Sequence, residues 1–158
     1  DALAAECAHR VAAQLAGAGA KADAITSLAS TLRPHIHTRR VYLLDLELTD
    51  DEAARVLAAV VDPVAERGAS GMLSDAAWPA DTAVLTIGFR PGVTDAVGTT
   101  LKRAAQDCLG RTLTGAAYSA HAYAFAGPRR DEMLEAARRL QLHRRSLQRK
   151  LSKYPPGS

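Results

Sequence analysis

Between Phe89 and Gly98 the chain reads Phe-Arg-Pro-Gly-Val-Thr-Asp-Ala-Val-Gly: a cation, a stiff corner, a hydroxyl, a carboxylate and a second glycine within ten positions. A phosphate cradle, a catalytic turn and a structural corner all use residues of these types. Pro91 locks φ and Gly92 permits positive φ, so the pair makes a tight turn. A phosphate loop needs its glycines followed by Gly-Lys-Ser/Thr, and no such lysine stands here. Asp95 would also repel an anion at the start of the helix that follows. Thr94 or Asp95 can instead accept hydrogen bonds from the open N–H groups of that helix, which accounts for the motif as a cap.

The other reactive side chains make no convincing set. His35 and His37 alternate and would share a face of a strand, with His121 on another strand, yet neither cysteine nor carboxylate accompanies them as a zinc ligand. Asp50, Asp51 and Glu52 are better explained as the acidic first turn of a helix than as a metal site. Ser119 and His121 lie too close along one strand to form a nucleophile and its base. Cys7 and Cys108 are far apart, form no Cys-x-x-Cys pair and read as buried free thiols. These residues therefore predict no catalytic, metal-binding or cofactor-binding site.

The elements that must carry the corner follow from periodicity. Ala2 to Gly19 has alanine and leucine at helical spacing and a glycine stop. From Thr26 to Arg40 the pattern weakens, and Pro34 breaks it. Residues 39–48 (RRVYLLDLEL) predict a strand. Thr49 or Asp50 then caps a helix that closes at Pro63 and Gly68, and 69–81 form a linker containing Trp78, the one tryptophan. The second half restarts with a strand at Ala83 to Phe89, the corner, and a helix on which Val97, Leu101, Ala104 and Cys108 share a face. Residues 114–127 supply one long strand or a hairpin, and a helix capped by Asp131 follows. Val41-Tyr42-Leu43-Leu44 before Asp50-Asp51 is echoed by Ala122-Tyr123-Ala124-Phe125 before Asp131-Glu132. The expected fold is α+β: two β-α-β-β-α units, about 1–68 and 82–140, with antiparallel sheets covered by helices on one face. A basic helix and tail, 141–158, would follow.

At this length a single shared core is feasible. No run is apolar enough to span a bilayer, and the first residues do not begin a signal peptide, so the expected setting is the cytoplasm. The net charge of +3 is unevenly spread. From Pro128 onward nine Arg or Lys face three acids, which leaves that end at +6 and the remainder at −3. An excess of this kind marks either a polyanion-binding end or a solvated basic helix.

Residues 91–104 (PGVTDAVGTTLKRA), placed after a strand, resemble the Pro-Gly-Val-Thr-Asp-x-x-Gly helix start of the PurS-type domain of phosphoribosylformylglycinamidine synthase. Residues 38–64, ending in Asp62-Pro63-Val64, are similar to the segment between the two PurS-like copies in fused forms of that enzyme. The likeness spans about Thr38 to Leu140, with Ala2 to Gly19 matching the leading helix of the first copy. The first strand of that copy is not found. The resemblance implies a docking role without catalysis or cofactor, bridging a synthetase part and a glutaminase part, with self-association possible. Arg90, Pro91, Gly92, Thr94 and Asp95 are then the expected partner-docking residues.

The C-terminal run departs from that pattern. Residues 136–155 resemble the Fis-type helix-turn-helix of RegA- and PrrA-like response regulators, with Leu147 and Leu151 anchoring a second helix. His143, Arg144, Arg145, Gln148 and Arg149 would face DNA, since Arg and Gln read guanine and adenine edges and spare cations hold phosphates. This likeness implies a DNA-binding transcriptional regulator as the alternative function. The upstream residues offer no receiver domain to accompany it, and a strand stands where the preceding helix would be.

Overall fold

A computed structural model describes residues 2–64, 67–71, 78–90 and 92–140. It is an α+β protein with a three-stranded antiparallel sheet. Helices α1 (Ala2–Ala16) and α2 (Ala22–Leu32) lead through a 3-10 turn, Arg33–His35, into strand β1 (Ile36–Asp45). Helix α3 (Asp50–Val60), strand β2 (Ala83–Gly88), helix α4 (Ala96–Leu109) and strand β3 (Ala116–Phe125) follow. Helix α5 is described over residues 130–140. The strand order is β1-β3-β2, with β3 in the centre.

Several expectations need adjustment. Helix α2 occupies a stretch whose pattern looked weak, yet Ile25, Leu28, Ala29 and Leu32 fall at i, i+3, i+4 and i+7 and pack into one core. Its Ser30 and Thr31 hydroxyls bond back to the carbonyls of Thr26 and Ser27, so these poor helix formers are accommodated within the helix. Pro34 falls in the 3-10 turn, where its missing N–H is harmless. β1 runs over 36–45 rather than 39–48, which frees Leu46 and Leu48 to enter a core as loop residues. Residues 116–125 form one strand, not a hairpin. Helix α5 begins at residue 130, so Asp131 sits inside its first turn instead of capping it. The described elements run α-α-β-α-β-α-β-α, and two complete β-α-β-β-α units are not seen among them.

The chain divides into two compact units. The first takes its described residues from 1–39, 78–85 and 122–158. Its core joins Ala4, Ala8, Val11 and Ala12 of α1 to Ala29 and Leu32 of α2, Ile36, Phe125, and Met133, Ala136 and Ala137 of α5. Alanine on the inner stripe of α1 lets α2 approach closely, while Phe125, Leu32, Met133 and Val11 fill the volume left. Arg39 also lies over the Trp78 ring at 3.7 Å in this unit.

The second unit takes its described residues from 40–77 and 86–121. Its core is smaller: Val56 of α3, Ala105 of α4 and Leu113, flanked by Leu46, Leu48, Val60 and Leu109. The buried positions of α4 are Gly98, Leu101 and Ala105, a face turned by one position from the expected one, and Val97 is half exposed. The close approach of α4 to β3 decides that choice, because only a residue without a side chain fits at the contact.

Candidate docking corner and the carboxylate behind it

β2 alternates strictly, with Ala83, Leu85 and Ile87 partly buried and Val84, Thr86 and Gly88 exposed, the pattern of a sheet covered on one face. Beyond Gly88 the chain turns through the corner into α4. Gly92 takes φ +82°, the left-handed conformation that glycine adopts without cost, and Val93 N–H donates to the Arg90 carbonyl at 3.1 Å. Phe89, Arg90, Gly92, Val93 and Thr94 are all exposed. Pro91 lies outside the described residues.

Asp95, not Thr94, is the cap of α4. Its Oδ1 accepts from Gly98 N–H at 2.8 Å, and the Thr99 N–H donates to its carbonyl at 2.9 Å. The carboxylate also reaches the central strand. Oδ2 accepts the Ser119 backbone N–H, and the Ser119 hydroxyl donates to both oxygens, at 2.9 and 3.0 Å. Asp95 is 7% exposed, and it is the buried charged side chain of the described core. Burial pushes its carboxyl up most strongly, but the hydrogen bonds from Gly98, from the Ser119 N–H and hydroxyl, and from Val97 together outweigh this and leave it below the ordinary value.

The same contact explains the second glycine of the motif. A Cβ on Gly98 would lie 2.2 Å from the Ala117 carbonyl oxygen and 3.0 Å from Asp95 Oδ2. The Thr-Asp-x-x-Gly sequence therefore does two things at once: aspartate ties the first turn of α4 to β3, and glycine lets that turn come close enough to be tied. The corner is architecture on its inner side, with an exposed outer side bearing Phe89, Arg90, Val93 and Thr94.

The other candidate residues take local roles. Glu52 is the third residue of a capping box, accepting the Thr49 N–H at 3.0 Å while Thr49 Oγ1 accepts the Glu52 N–H at 3.3 Å. Arg111 holds the Glu52 carboxylate with both Nε and an Nη at 2.8 Å. That pairing, followed by the Thr49 hydrogen bonds, brings the Glu52 carboxyl down to about 2. Ser119 serves Asp95, and His121 is not its partner in that bond. His35 is exposed, with its ring under Gly127. Among the described residues no three His, Cys, Asp or Glu side chains gather as metal ligands. Burial raises the Cys7 thiol to about 11, which makes it a poor nucleophile at neutral pH.

His143, Arg144, Arg145, Gln148 and Arg149 lie outside the described residues. Within the described part of the basic end, Arg129 pairs with Glu132 at 2.8 Å, Arg130 with Asp81 at 2.6 Å, and Arg139 with Glu135 at 3.4 Å. Ser119 and Arg111, which hold the two capping carboxylates, were not singled out for those roles by the sequence. The arginine follows the glycine that closes α4, and the serine sits mid-strand, so neither carries a local signal. No helix among the described residues is long and apolar enough to cross a membrane. Comparison with protein-family models, curated proteins and solved structures returned no match for this chain.

Proposed function

We propose that this chain is a non-catalytic docking module of the PurS-like type, acting in the cytoplasm between the synthetase and glutaminase parts of phosphoribosylformylglycinamidine synthase. One observation carries the reading: Asp95, buried and fully hydrogen-bonded, holds a corner whose outer side is exposed and mixed apolar and cationic. A buried carboxylate spent on fixing a turn suits a surface that must keep its shape for a partner. Phe89 and Val93, 48% and 52% exposed, flank Arg90 there, a combination suited to the centre of an interface. In this reading Arg90, Gly92 and Thr94, with Pro91 between them in sequence, meet the partner, and Asp95 positions them.

The test mixes the purified chain with the separately purified synthetase and glutaminase parts of that enzyme and follows complex formation by sedimentation velocity. The chain should bind one or both parts, and Arg90→Glu should weaken binding about tenfold or more while leaving its own fold intact. Absence of binding to either part overturns the reading. The charge excess after Pro128 supports a second reading, DNA binding through His143, Arg144, Arg145, Gln148 and Arg149. Salt-sensitive binding of duplex DNA that is lost on truncation after Leu140 would put that reading first.

A further inference from the structure

We draw no further inference here: the strongest candidate, the open apolar groove between α3 and α4 lined by Tyr42, Val60, Val97, Thr100, Leu101 and Ala104, is an unpartnered face, and nothing in the structure shows what covers it.

Discussion

Two helix starts in the second unit solve one problem in opposite surroundings. Each must satisfy N–H groups that have no partner within the helix. At α3 the solution lies at the surface: Thr49 and Glu52 cap each other, and Arg111 grips the Glu52 carboxylate from the loop after α4. At α4 it lies inside: one carboxylate, Asp95, serves the first turn of the helix and the backbone and hydroxyl of Ser119 on β3. The surface cap divides its work among three side chains that water also solvates, so losing any one leaves the others satisfied. The interior cap concentrates its work in a single, largely buried group, so its loss strands several donors together. Chemistry that looks alike in the sequence therefore differs in how much of the fold depends on it.

That contrast breaks most sharply at Gly98. Gly98→Ala puts a methyl group into the Ala117 carbonyl, a backbone atom that cannot move without disturbing β3. We expect a loss of about 4 kcal/mol, measured by urea unfolding, near the upper end for a single small substitution.

Asp95→Ala comes next. It leaves the Gly98 and Ser119 N–H groups and the Ser119 hydroxyl without their acceptor, for an expected cost of about 3 kcal/mol. The same residue gives the pH dependence its sign. The folded carboxyl lies below its unfolded value of roughly 3.9, so the stabilisation is complete above that value and is lost as the pH falls through the folded one. Acid unfolding curves of the wild type should show this loss, and those of Asp95→Ala should lack its contribution.

The smallest effect belongs to the surface cap. Thr49→Ala should cost about 1 kcal/mol by urea unfolding. The Glu52–Arg111 contribution should fall further in about 1 M salt, where exposed charges are screened within a few ångströms, whereas the Asp95 contribution should hold. An equal response of the two caps to salt would remove the distinction between them.

The sequence exposed one side of each of these arrangements. Thr49 and the acids after it announce a helix start, as Thr94-Asp95 does after a Pro-Gly corner, because caps depend on residues three or four apart. The α+β class was readable from alternation in β2 and helical spacing in α1 and α4. Ser119 and Arg111 were not, because each meets its partner across 24 and 59 positions, a separation that only the fold closes. The inner face of α4 was misplaced for a related reason: apolarity favoured Val97, but contact with the Ala117 backbone required Gly98. Helix α2 was obscured by its hydroxyl residues and by Lys21 at its start, which offers no side-chain cap.

The measurement that tests the interior cap most directly is a double-mutant cycle on Asp95→Asn and Ser119→Ala, read by urea unfolding at neutral pH. If Asp95 ties α4 to β3 through Ser119, the two effects should fall short of additive by about 1–2 kcal/mol. Strict additivity would mean that the Ser119 hydroxyl takes no part in anchoring the corner to the sheet, leaving the backbone N–H of Ser119 as the remaining link between Asp95 and β3.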